Sequence, residues 1–337
     1  MAAVVSFLDK SRGGVSLALF VPSAKQFASA IAAVKFLRMC NTHVQNQVNW
    51  HFVLPKGVHI QDEDLRMLRI VSDCSVKVED FVRTHNLGSS LQKNGSWPES
   101  LARNVARRHC QNEWVTVLEA ETPPFKDLRL PRFLAQVRCK RCVFLLPLYE
   151  TSGQREAPKD KQALLEAVNR GEATAAVEGL DLWERGPPTQ EIKSIALTKN
   201  VPLDKNIFFV ATHEIPKFDE RYLAKHSTWA KAAQVLEMQL AGFKLFVLDP
   251  LFLWRRRRAP SFQRDEEGQQ IFAHHLRELS LVYDKYLPKL MATYPYHNPT
   301  VVQVCKAKQK TQIVSNLKDN PSFKYGLPPP GKLGFQL

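Results

Sequence analysis

Two carboxylates spaced i, i+2 are the residues best suited to chemistry in this chain. Glu119 and Glu121 follow the apolar run Trp114-Val115-Thr116-Val117-Leu118 and precede Pro123-Pro124. The run, rich in β-branched residues, reads as a buried strand near the centre of a sheet, and the prolines force the chain out of the ladder. In open α/β sheets, ligands bind outside the carboxyl ends of the strands. Two hard oxygen ligands there suit a divalent cation that keeps several waters and grips a diphosphate. Taken alone, they also read as solvated carboxylates at a strand end. Upstream, Arg103, Arg107 and Arg108 fall on or near one face of a helix opened by Pro98. Such a face is either plain surface or a cradle for phosphate.

The elements that must position these residues can be read in order. Val15–Val21 is a strand stopped by Pro22, and Ser23 caps the helix that follows. Phe27, Ile31, Val34 and Leu37 recur at helical spacing, and Val48–Leu54 is a second strand stopped by Pro55. A strand–helix–strand order of this kind implies a parallel βαβ unit. Further strands are expected over Ile70–Phe81, Val143–Leu148, Asn206–Ala211 and Phe243–Leu248. Helices are expected over Pro98–Arg108, Lys161–Gly171 and Ala230–Leu240, with a long amphipathic one over Glu267–Tyr286. Arg129–Arg141 is basic and mixed, Arg255–Arg258 is a four-arginine run, and Gly326–Gly334 is rich in proline and glycine.

Composition bounds the function. With 337 residues, 44% of them hydrophobic, the chain can bury a large core. A formal charge of +14 favours anionic partners without choosing among them. No recognised nucleic-acid module is present, so no nucleic-acid partner is expected. Cys139 and Cys142 have CxxC spacing but no second pair to complete a zinc site. Six cysteines do not make a disulfide scaffold, though one or two bridges fit. No run of 18 apolar residues suggests a membrane span, and Asn94-Gly95-Ser96 is a glycosylation sequon only in a luminal chain.

Three stretches together resemble glycosyltransferase family 49, of the glucuronyltransferase type. They are Ser16–Pro22, Trp97–Arg107, and Phe218-Asp219-Glu220-Arg221-Tyr222 with the later Ala241–Leu248. The resemblance spans most of residues 1–290 and implies an α/β fold of the GT-A type. That is a nucleotide-binding sandwich around a mostly parallel twisted sheet with a C-terminal helical extension. It divides the chain into a glycosyltransferase domain over 1–260, a helical part over 261–305 and a polar tail over 306–337. It implies a UDP-sugar donor, Mn²⁺ on Glu119 and Glu121, and a glycan acceptor on a glycoprotein, with a partner glycosyltransferase as a further candidate. Arg103, Asn104, Arg107 and Lys231 become donor-binding candidates, and Asp219 and Glu220 the acidic acceptor-side pair. Asp219 and Glu220 serve equally to pair with Arg221 or to cap a following helix.

The departures from the family pattern have physical content. The family's DxD is here Glu119-Ala120-Glu121, which moves each ligand oxygen out by about one bond length, and small cations demand strict geometry. The family's metal-binding histidine falls at Trp254, whose indole N–H donates only. The family's GYGxNK is Lys225–Lys231 here, keeping Lys231. Two readings follow. One is an active glucuronate-type transferase of protein O-mannosyl glycan synthesis. The other is a catalytically degenerate homologue that binds a nucleotide, a glycan or a partner. The resemblance points to the Golgi lumen; a chain complete as written, lacking an anchor, points to the cytoplasm.

Overall fold

In a computed structural model of the chain, residues 14–69, 73–76, 80–81, 98–118, 127–151, 157–175, 181–187, 189, 191–197, 207–221, 229–256 and 286–294 are described. The expectations for Glu119, Glu121, the Asn94 sequon, the 267–286 helix as far as Lys285 and the tail lie outside these residues.

The N-terminal unit forms as its patterning requires. Strand β1 (Val15–Phe20) and strand β2 (Val48–Val53) pair in parallel, with helix α1 (Ala24–Cys40) and the short helix α2 (Thr42–Gln47) between them. The Ser23 hydroxyl accepts the Gln26 N–H, satisfying one orphan donor of the first turn of α1. Asn41 does the same for α2 through Val44 N. Phe36, Leu37, Val44 and Val48 bury this corner, and the Cys40–Cys74 disulfide ties the end of α1 to the following segment.

The main sheet has five strands in the order β3-β8-β4-β9-β7. Its members are β3 (Trp114–Thr116), β4 (Cys142–Leu146), β7 (Lys193–Ala196), β8 (Phe208–Thr212) and β9 (Lys244–Asp249). Alternate residues serve two separate cores. Val143, Leu145, Phe209, Ala211, Leu245 and Val247 face one core, with Leu164 of helix α5 (Lys161–Asn169) and Val235 and Met238 of helix α7 (Trp229–Leu240). Cys142, Phe144, Leu146, Phe208, Val210 and Leu248 face the other, with Leu134 of helix α4 (Arg129–Gln136). Burial on both faces explains why these strands are continuous apolar runs rather than alternating ones.

A three-stranded sheet, β10-β5-β6, joins Leu253–Arg256, Leu148–Thr151 and Ala173–Ala175. Helix α3 (Glu99–Arg108) lies against β1 and β2, helix α6 (Asp181–Arg185) follows β6, and helix α8 (Leu287–Thr293) packs on α7.

The α/β class holds, with two corrections. The strand directions are mixed rather than mostly parallel. In the main sheet only β4–β9 is parallel, while β3–β8, β8–β4 and β9–β7 are antiparallel. Strand type is legible in residue pattern; strand direction is set by connections that the pattern does not encode. Second, Trp114–Leu118 was expected at the centre of a sheet. The strand ends at Thr116, and among the described residues it pairs with β8 alone, at the edge. Trp114 packs on Phe144 at 5.6 Å and Val117 on the opposite core. Both faces are therefore covered, and an apolar run reports covered faces, not rank in the sheet.

Candidate functional site

Helix α3 carries the first group of candidate residues. It has no side-chain cap at Pro98, but Glu99 in its first turn and Arg107 and Arg108 in its last complement the helix dipole. The i, i+4 spacing brings Glu99 and Arg103 into a buried ion pair. Arg103, Asn104 and Arg107 are all buried, and they face the loop that leads from β8 to residue 221.

Their hydrogen bonds define what they do. Asn104 Nδ2 donates to the Phe218 carbonyl at 2.8 Å, and Phe218 N donates back to Asn104 Oδ1 at 2.9 Å. The same Nδ2 donates to Glu220 Oε1 at 3.0 Å. Arg107 Nη1 donates to the Pro216 carbonyl at 2.7 Å, which also accepts from Gln234 Nε2 of α7 at 2.7 Å. Burial pushes the Arg107 guanidinium below its ordinary value. Arg103 stacks over the Phe218 ring, its guanidinium carbon 5.2 Å from the ring centroid. The described parts of the two motif stretches, residues 98–107 and 218–221, more than a hundred residues apart, are thus one docked unit. Three of the four expected donor-binding residues act here as struts beneath an acidic loop. Their donors reach the carbonyls of Phe218 and Pro216 and the carboxylates of Glu99 and Glu220.

Asp219 and Glu220 stand on that loop. The Arg221 Nε donates to both Asp219 oxygens, at 3.0 and 2.9 Å, and the Arg221 backbone N–H bonds Oδ1 at 3.0 Å. Burial opposes ionisation of Asp219, but the Arg221 hydrogen bonds and charge, with Lys289, outweigh it and hold the carboxyl below its ordinary range. So the pairing with Arg221 is the role the geometry realises for Asp219. Glu220, more exposed, is oriented by Asn104.

Beside this loop is a cluster that the sequence did not announce. Glu237 of α7 accepts from Tyr286 Oη at 2.6 Å and from Tyr294 Oη at 3.3 Å, so α8 is clamped at both ends. Desolvation raises the Glu237 carboxyl, the two tyrosine hydrogen bonds oppose that, Asp219 adds to it, and Lys289 opposes it. Arg221 lies 5.7 Å from the Tyr286 ring centroid. The sequence pattern places Tyr286 at the end of a long helix and gives no sign of a carboxylate partner 49 residues earlier.

Lys231 sits in the first turn of α7, buried, with its ammonium 3.6 Å from the Phe208 ring centroid. Trp254 lies in β10, opposite Tyr149 of β5 and half-buried. Among the described residues no three His, Cys, Asp or Glu side chains gather as a metal site.

Comparison with known proteins gives the family. A family model described as "Glycosyl-transferase for dystroglycan" matches residues 1–295. Beta-1,4-glucuronyltransferase 1 of Danio rerio is 21% identical over 314 residues, covering 86% of this chain and 70% of that protein. Its counterpart in Mus musculus is 22% identical over 309 residues, covering 86% and 72%. Xylosyl- and glucuronyltransferase LARGE1 of Homo sapiens is 23% identical over 227 residues, covering 64% of this chain and 29% of that protein. With the match extending over most of its length, the chain belongs to glycosyltransferase family 49, the glycosyltransferases of dystroglycan.

Proposed function

We propose that the chain transfers a glucuronate-like sugar from a UDP-sugar to the terminus of a protein O-mannosyl glycan. The observation that carries this is the docking of α3 beneath the acidic loop through Asn104, Phe218 and Glu220. A transferase must hold an acceptor hydroxyl and an acid–base carboxylate in fixed relation. Asn104 fixes Glu220 on a loop whose backbone is pinned at Pro216 and Phe218. Glu220 is exposed and not paired with Arg221, so it is the better candidate for receiving the acceptor proton; Asp219 is the neutralised partner. Glu119 and Glu121 would hold Mn²⁺, which when bound stabilises charge on a departing diphosphate. The relatives' names support a glucuronyl donor.

The degenerate reading has its own support. Arg103, Asn104 and Arg107 are engaged within the chain, and Trp254 offers no ligand. Titration calorimetry with UDP separates the cases. Heat with Mn²⁺ that disappears in EDTA supports a metal-assisted donor site. Equal heat in both removes the metal, and no heat in either removes donor binding.

A luminal setting fits the cysteines. Cys40–Cys74 and Cys139–Cys142 are disulfides, which persist in oxidising compartments. No helix among the described residues is long and apolar enough to cross a membrane.

A further inference from the structure

From Leu128 to Tyr149 the chain has no acidic residue, yet it carries Arg129, Arg132, Arg138, Lys140 and Arg141. Arg129 is neutralised by Asp127. The other end of the stretch is different. Arg138, Lys140 and Arg141 are exposed, and none forms an ion pair among the described residues. The sheet adds a fourth cation. Lys244 opens β9 opposite Cys142 of β4, its backbone N–H donates to Arg141 O at 2.8 Å, and its side chain is exposed. Among the described residues, Glu113 and Glu214 are the acidic residues that the register brings towards this end, and neither pairs with these cations.

The turn that presents them is rigid. The Cys139–Cys142 disulfide closes directly around Lys140 and Arg141, with Cα atoms 5.6 Å apart. The Arg141 Nη1 rests 3.4 Å from the Ala241 carbonyl at the end of α7, and Lys140 O accepts from Thr212 Oγ1 at 3.5 Å. Four like charges held on a stapled turn and an adjoining strand repel one another in the free protein, and a polyanion relieves that repulsion. The exposed large apolar residues, Met39, Val76 and Leu128, do not fall within the patch, so it offers little to insert into a bilayer.

We propose that Arg138, Lys140, Arg141 and Lys244 form a docking face for an anionic polysaccharide bearing sulfate or uronate groups. The face lies at the starts of β4 and β9. Strand β3, which runs the same way as β4, leads away from this end and stops at Thr116, level with Phe144 of β4. Polysaccharide binding there is measured without donor or acceptor and stands or falls independently of transferase activity.

The test uses the full chain and a heparin octasaccharide as probe. One variant carries R138E, K140E, R141E and K244E. A control carries K25E, K56E, K159E and K193E, four exposed lysines elsewhere, so its net charge changes equally. Binding is measured across a salt series, with thermal melts confirming that both variants fold. The expected result is a loss of about tenfold or more in affinity and a shallower salt dependence for the patch variant, against less than about twofold for the control. Equal losses in both would overturn the proposal in favour of the overall +14 charge. Binding to phosphatidylserine vesicles without binding to the octasaccharide would also overturn it, in favour of a membrane surface.

Discussion

Asn104 and Phe218 exchange two hydrogen bonds, the side-chain amide of one closing on the backbone of the other at 2.8 and 2.9 Å. This is the geometry of a strand pair, made by a helix side chain with a loop, and it leaves Nδ2 a further bond to Glu220. Asn104→Ala removes it and leaves the Phe218 N–H and carbonyl buried without their partner. Each such group costs about 1–3 kcal/mol. We expect a lower melting temperature and weaker transfer. Asn104→Asp keeps the acceptor for Phe218 N but loses the donor and sets a carboxylate beside Glu220. It should impair transfer at least as much, measured by product formation beside thermal melts.

This relationship shows why part of the site was not legible in sequence. The arginines and Asn104 on α3 were visible as a polar helix face, and such a face reads as surface or as a ligand cradle. What Asn104 and Arg107 bind is a pair of carbonyls and the Glu220 carboxylate more than a hundred residues later, and backbone acceptors leave no mark in residue type. The N-terminal unit was legible because its signals are local: Ser23 caps α1, Pro22 and Pro55 stop the strands, and apolar spacing gives the faces. Strand β10 was missed because Arg255 and Arg256 hid it. Arg255 there pairs with Glu150 of β5, so a charge that reads as loop is satisfied across a strand pair. Gly171 and Gly242 take positive φ just past the ends of α5 and α7, as glycines that close helices do.

Lys161 and Asp249 form a buried ion pair at 2.6 Å, with Lys161 also donating to the Gly186 carbonyl at 2.9 Å. Asp249→Ala strands the ammonium in the core and should cost about 3–5 kcal/mol in urea unfolding. The double variant Lys161→Met with Asp249→Leu should recover much of that loss, because a buried pair repays its own desolvation poorly. A double variant as unstable as the single one would show that the pair itself is required.

His51 should make stability depend on pH. Its ring accepts or donates at Ser16 Oγ, 3.0 Å away, and stacks on His109 with centroids 4.6 Å apart. Burial, then the His109 charge, lowers its value below the ordinary 6.5. The unfolded chain therefore binds the proton more readily than the folded one. Stability from this site is complete above about pH 6.5 and is lost as pH falls through the folded value. Unfolding midpoints measured from about pH 7 to about pH 5 should fall for the native chain and fall less for His51→Gln. Parallel curves for the two would remove His51 as the cause.

Restoring the family's metal pattern should strengthen metal binding. The triple variant Glu119→Asp, Glu121→Asp and Trp254→His shortens two ligands and supplies an imidazole, a good ligand for transition metals. Mn²⁺ affinity measured with a thermal melt should rise with little loss of stability. Unchanged affinity with a lower melting temperature would mean that Trp254 is a packing residue of β10 and that the correspondence with the family histidine is wrong.

Transfer itself is the most direct measurement. The purified chain is incubated with UDP-glucuronate, Mn²⁺ and an O-mannosyl glycan acceptor, and the acceptor is weighed by mass spectrometry. Our account predicts a mass gain of one glucuronate residue that depends on acceptor and Mn²⁺ and is lost in Glu220→Gln, while a protein that binds UDP yet leaves the acceptor mass unchanged would contradict it.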